Sequence, residues 1–305
     1  MRILFFRAAG CLAIAALTAC SRAPTVKANR VPISTVESGV LPASFYAGGA
    51  RCEGVPRFLV HRYNANLFIM RQPACTNYEK PFLYLLFGTE RALLLDTGAG
   101  GIDVAGAVDE IVQRWLREQR RTAIDLVIAH SHAHGDHVAG DSQFIGRAHV
   151  TLVGRDTASV RRFFGIASWP TDTGRIELGG RVIDVLAIPG HQAASIALYD
   201  RRTGLLLTGD SFYPGRLYVR DTAAFVRSTH RLVEFTASHQ ITHILGTHIE
   251  NSNVSARDYP IGTVDQPSEH GLALDSRQLR TLDSALATMR GAVKRTVLAD
   301  FTIWP

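Results

Sequence analysis

The chain has 305 residues, of which 46% are hydrophobic and 20% charged; it can bury the core of one full-sized α/β domain or two small ones, and is not a disordered polymer. Its formal net charge of +6 comes mainly from arginine. The pairs Arg120-Arg121, Arg161-Arg162 and Arg201-Arg202 are scattered and lack interleaved aromatics, so they read as solvated surface and no nucleic-acid partner is expected.

In chain order, the first segment is an address. Arg2 and Arg7 flank an apolar run, and a second run from Cys11 ends in Leu17-Thr18-Ala19-Cys20. It is too short and too small in its side chains for a comfortable membrane span. The ending resembles the lipobox of bacterial lipoproteins, whose cysteine is lipidated and becomes the mature N-terminus. The expectation is a signal peptide over 1–19 and a lipid on Cys20. Ser21 follows instead of aspartate, which points to the periplasmic face of the outer membrane, with the lipid as the membrane contact. Residues 20–50 read as a flexible tether and 51–305 as the folded domain. Of four cysteines, Cys11 leaves with the signal and Cys20 takes the lipid. Cys52 and Cys75 remain, and an oxidising compartment lets them pair.

Short apolar runs then follow at 58–60, 67–70, 82–87 and 92–95, separated by turn residues, and predict an antiparallel meander. Residues 102–118 carry apolar positions at helical spacing. A buried strand is expected at 125–129, then a strand at 149–153 and a helix near 156–164. Further strands are expected at 175–178, 181–188, 195–199 and 205–208. A helix at 222–238, a strand at 241–245, a helix at 278–289 and a last strand at 296–301 complete the pattern. Residues 250–274 are long and irregular, the character of a loop over a site. Two β-rich halves with helices outside make a four-layer αββα sandwich of the α/β class.

The segment carrying chemistry is His132-Ala133-His134-Gly135-Asp136-His137, directly after the 125–129 strand. Neutral imidazoles suit zinc, and a carboxylate compensates charge. His132 and His134 leave the strand on the same side and can share an ion. Gly135 permits a turn that sends Asp136 and His137 toward a second ion. Three later segments repeat one design, an apolar strand ending in glycine and a candidate ligand: Pro189-Gly190-His191, Thr208-Gly209-Asp210 and Gly246-Thr247-His248. Each alone is an ordinary turn; together, in this order, they make a ligand set.

With Leu95-Asp96-Thr97-Gly98 ahead of them, these motifs resemble the metallo-β-lactamase superfamily from about residue 55 to about residue 250. The resemblance implies a metallo-β-lactamase αββα sandwich. It implies His132, His134 and His191 on one ion, Asp136, His137 and His248 on another, and Asp210 bridging them. Asp96 would orient the histidine-rich loop. Two zinc ions, with iron or manganese as alternatives, would activate a shared water, and Asp136 would pass a proton to the leaving group. The zinc β-lactamases proper carry Cys or Ser where this chain has Asp210, which lowers β-lactam hydrolysis. The full His/Asp set looks like glyoxalase II, lactonases and related esterases, so the expected substrate is a small ester, lactone, thioester or amide. A β-lactam hydrolase, a phosphodiesterase of the same fold and a non-catalytic exported metal-binding protein are the alternatives. Tyr213 stands three residues after Asp210, the spacing at which acyl-homoserine lactonases place a substrate-contacting tyrosine; the other reading is a packed loop residue.

Overall fold

Five- and six-residue apolar runs build the strands, and both faces of most of them are buried. In β2 (Leu67–Arg71) and β3 (Phe82–Phe87), Leu67, Ile69, Phe82 and Tyr84 enter one core, while Phe68, Met70, Leu83 and Leu85 enter another. Side chains on a strand alternate between faces, so each strand separates two hydrophobic layers. The computed structural model describes Met1 and residues 36–305 apart from 47 and 50. The expected signal peptide and Cys20 lie outside the described residues.

The first sheet orders β1 (Leu59–Asn64), β2, β3, β4 (Arg91–Leu95), β5 (Asp125–Ala129) and β6 (Val150–Leu152). Its first four strands form the antiparallel meander that the turn residues predict, and β4, β5 and β6 are parallel. The second sheet orders β13 (Ala273–Leu274), β12 (His243–Gly246), β10 (Leu205–Gly209), β9 (Ile196–Asp200), β8 (Val182–Ala187) and β7 (Thr173–Glu177). Ile69 and Leu93 of the first sheet and Val185, Leu198 and Leu207 of the second fill the core between them. Outside, α1 (Val104–Gln119) covers the first sheet, while α4 (Thr222–Ser238) and α5 (Ser276–Thr288) cover the second. The architecture is the four-layer αββα sandwich.

The helices start where side chains accept the free amides of the first turn. Asp103 receives Gly106 N at 2.8 Å ahead of α1, and Asp221 receives Ala224 N at 2.9 Å ahead of α4. Asp275 and Gln278 form a reciprocal capping box on α5. A short helix, α2 (Gly135–Val138), follows β5, and a further helix, α3 (Thr157–Phe164), begins at Asp156 in the same way as α1.

Some elements differ from expectation. The tail folds back on itself as β14 (Thr296–Val297) and β15 (Thr302–Trp304), not as one strand, because Leu298 N bonds to Phe301 O across a turn. β15 in turn pairs in parallel with β11 (Arg216–Tyr218), a three-residue strand whose partner is too remote in sequence to leave a local signal. The compact unit begins at Val36, ahead of the boundary expected at 51. Residues 36–46 strap the seam between the sheets. Glu37 N bonds Arg202 O at 2.7 Å, and Val40 N bonds Tyr63 O at 3.0 Å. Phe45 is buried against Phe82, with ring centroids 5.0 Å apart. Cys52 and Cys75 are joined, with S–S 1.97 Å and Cα–Cα 5.6 Å.

Candidate metal centre

Five strands deliver the polar motifs to one end of the sandwich. β4 and β5 are parallel and end in Asp96 and the 130–137 segment, while β10 and β12 are parallel and end in Asp210 and His248. β8 is antiparallel to β9, and β9 to β10, so β8 also points this way and leads to His191. Gly209 has φ +53°, and a Cβ there would lie 2.7 Å from Ser131 Cβ. Only glycine permits the two sheets to approach this closely beside Asp210.

Two ligand groups form. In the first, His134 Nδ1 lies 3.0 Å from both His132 Nε2 and His191 Nε2, and Asp210 Oδ2 lies 3.7 and 3.6 Å from those two nitrogens. In the second, His137 Nε2 is 3.2 Å from Asp136 Oδ2, 3.5 Å from Asp210 Oδ1 and 3.3 Å from His248 Nε2. His248 Nε2 is in turn 3.3 Å from Asp136 Oδ2 and 3.2 Å from Asp210 Oδ1. A zinc tetrahedron with ligand bonds of about 2.0–2.1 Å has edges of about 3.3–3.4 Å. The second group matches that shape on every edge measured.

The outer ring nitrogens decide what the inner ones carry. His137 Nδ1 donates to Asp96 Oδ2 at 2.9 Å, and His248 Nδ1 donates to Glu79 O at 2.8 Å. His191 Nδ1 donates to Tyr218 O at 3.0 Å. His132 Nδ1 is 3.1 Å from Ser131 Oγ, which donates to Asp96. With those protons placed outward, four Nε2 atoms turn lone pairs inward at each other and at carboxylates. Acceptors facing acceptors in a buried cluster fit a cation on each side of Asp210.

The electrostatics agree. Burial pushes the Asp210 carboxyl up, but His248, His137 and His132 outweigh it and hold Asp210 well below the usual carboxylate range. Burial likewise raises Asp136, and the neighbouring imidazoles of His137 and His248 bring it far below. Burial lowers His132 and His191, to which neighbouring imidazoles add against the pull of Asp210. At His137 and His248 burial lowers the imidazole, yet Asp210 and its fellow carboxylates raise both well above their ordinary values. That half of the cluster calls for positive charge.

All seven expected ligands therefore converge, and Asp96 sits behind them, accepting from Ser131 N at 2.7 Å as well as from His137. Tyr213 is placed differently from the expected substrate contact. It is 2% exposed, and its hydroxyl bonds to Arg216 O and lies 3.2 Å from Glu250 Oε2. Its ring lies 5.6 Å from that of His248 and braces it. His130 is buried behind the loop, with Nε2 3.2 Å from Asp141 Oδ1. Sequence reasoning missed the carbonyls of Glu79 and Tyr218, since a backbone oxygen leaves no residue-type signal. It also missed Thr247, whose hydroxyl donates to Asp210; its place inside the Gly246-Thr247-His248 motif was the available clue.

A 270 Å³ cleft opens beside the centre, with Tyr78, Lys80, Tyr218, Arg220 and Tyr259 among its walls. The residues whose carbonyls hold His191 and His248 line it. None of the seven ligands themselves lines it, nor do they line a larger cleft of 770 Å³ beside α1, bounded by Val60, Ile111 and Arg114.

A family model described as the Metallo-beta-lactamase superfamily matches residues 81–283. A hydroxyacylglutathione hydrolase of Nostoc punctiforme is 29% identical over 140 residues, covering 44% of this chain and 51% of that protein. The acyl-coenzyme A thioesterase MBLAC2 of Homo sapiens is 27% identical over 204 residues, covering 54% of this chain and 72% of that one. The chain thus spans about half the length of the hydroxyacylglutathione hydrolase it matches. Among solved structures, a metallo-beta-lactamase from Pontibacter korlensis superposes with TM-score 0.50 at 15% identity, over 75% of this chain and 99% of that one. TMB-1 superposes with TM-score 0.52 at 13% identity, over 77% of this chain and all of its own.

Proposed function

The chain belongs to the metallo-beta-lactamase superfamily, and from that premise we propose that it hydrolyses a small thioester, ester, lactone or amide with two metal ions, zinc ahead of iron or manganese. The observation that carries this reading is Asp210, whose Oδ2 faces the three-histidine group and whose Oδ1 faces the other. His132, His134 and His191 would hold one ion, and Asp136, His137 and His248 the other. When bound, such a pair supplies Lewis-acid polarisation of the scissile carbonyl and makes a nearby water more acidic.

The chain's own residues do the rest. Asp96, Glu79 O and Tyr218 O fix the imidazole rings, so the inward nitrogens are aimed before substrate arrives. Asp136 is the most open carboxylate of the second group, its side chain 20% exposed. Held ionised, it can accept the proton released as water adds to the carbonyl carbon. It then returns that proton to the sulfur or oxygen that departs as the acyl bond breaks. A thiol, with a pKa of about 8.5, leaves with the least help from such a group. The two relatives, named for an acylglutathione and for an acyl-coenzyme A thioester, favour the same substrate class.

Turnover of an S-acyl thioester, a carboxylic ester, a lactone, a β-lactam and bis-nitrophenyl phosphate by purified wild type and Asp210→Asn tests the reading. Wild type should favour the thioester, and Asp210→Asn should lose at least about a hundredfold. Phosphodiester turnover above all others, or an Asp210→Asn variant as active as wild type, would sink it. We further propose that the protein is exported and lipidated on Cys20, at the periplasmic face of the outer membrane. Cys20→Ser should move it from the membrane fraction to the soluble periplasmic fraction, and unchanged fractionation contradicts the anchor.

A further inference from the structure

We propose that Lys80 is a positioning residue for His248, and that its buried ammonium tunes the cation affinity of the Asp136, His137, Asp210 and His248 group selectively. The inference rests on the two-ion reading above. Two adjacent residues of one segment grip two adjacent residues of another. Glu79 O accepts from His248 Nδ1 at 2.8 Å, and Lys80 Nζ donates to Ile249 O. The remaining protons of the ammonium go to Gln266 Oε1 and toward Glu269 Oε1 at 3.6 Å, which accounts for its three donors. One side chain thereby ties together the segment that holds the imidazole, the exit of β12 and the 250–270 loop.

The cost of this arrangement argues that it serves something other than stability. The Lys80 and Glu269 side chains are 5% and 2% exposed. Glu269 is already satisfied by Arg71, through two contacts of 2.6 Å. A second cation beside a paired carboxylate is desolvated with little return, and replacing such a charge by an apolar side chain of similar size is often neutral for folding. What the ammonium does supply is a fixed distance between Glu79 and His248. His132, His134 and His191 have no contact with Lys80, and their partners are Ser131 and Tyr218. Removal of the ammonium should therefore loosen one ion and spare the other.

The test is a cobalt(II) and zinc titration of wild type and Lys80→Met, with chelator competition for affinities, cobalt ligand-field spectra for site identity, and unfolding of metal-free protein as the folding control. Wild type should bind two ions; a wild type that binds none overturns the two-ion reading itself. In Lys80→Met the dissociation constant of one ion should rise at least tenfold, with a changed spectrum for that site, while the other stays within twofold. Two unchanged constants, or two constants weakened alike, overturn the positioning role and leave the two-ion reading standing. If Lys80→Met does not fold, Gln266→Leu removes an acceptor of the same ammonium and is judged by the same criteria.

Discussion

Lys80 also sets a pH dependence of folding. Burial lowers its pKa from 10.5 to about 8, with Glu269 opposing and Arg71 adding to the shift. Between those values the unfolded chain holds a proton that the folded chain has released. Unfolding then takes up a proton, so stability rises with pH across that window, by about 3 kcal/mol at most. Denaturant unfolding of metal-free wild type and Lys80→Met at pH 7.5 and pH 10 checks the sign. Wild type should gain on the variant at the higher pH, and a constant difference would show that the ammonium is not desolvated as described. At this scale the sequence is generous with ligands and silent about what holds them. His132, Asp136, His191, Asp210 and His248 stand in short motifs whose residue types announce cation chemistry. The lysine that buries its charge 169 positions before Ile249 has nothing in its neighbourhood to mark it.

The strand and helix pattern was legible where one element faces one core. α4 was bounded at 222–238 by the 3.6 spacing, and that helix is found at Thr222–Ser238. β11 and β13 escaped because they are two or three residues long and exist through pairing with remote partners. The strap at 36–46 escaped for a different reason: its composition is that of a linker, and one phenylalanine makes it part of the core. Removal of residues 1–35 should leave the unfolding midpoint in denaturant unchanged. Removal of residues 1–46 strips Phe45 from the seam and should cost about 3–5 kcal/mol, as for loss of a buried phenylalanine. Equal midpoints for the two truncations would mean the strap contributes nothing to folding.

For the whole molecule, a buried, ion-paired arginine at each end reaches across to the other half of the chain. At one end Arg181 meets Asp200 at 2.6 and 3.1 Å and also donates to Asn66 O and Phe87 O; at the other Arg71 meets Glu269. Sandwich folds were readable from the alternation of strands and outer helices, yet these contacts were not, since Arg181 reaches backbone carbonyls 115 and 94 positions away and Arg71 a loop carboxylate 198 positions away. The strap runs between the two ends. It starts near Arg202, in the turn that precedes β10, and finishes with Tyr46 bonded to Asp265 beside the cleft. Val36 thus emerges at the base of β10, while Asp210 stands at its tip. The five residues of β10 therefore separate the first residue of the compact unit from the carboxylate that both ligand groups share.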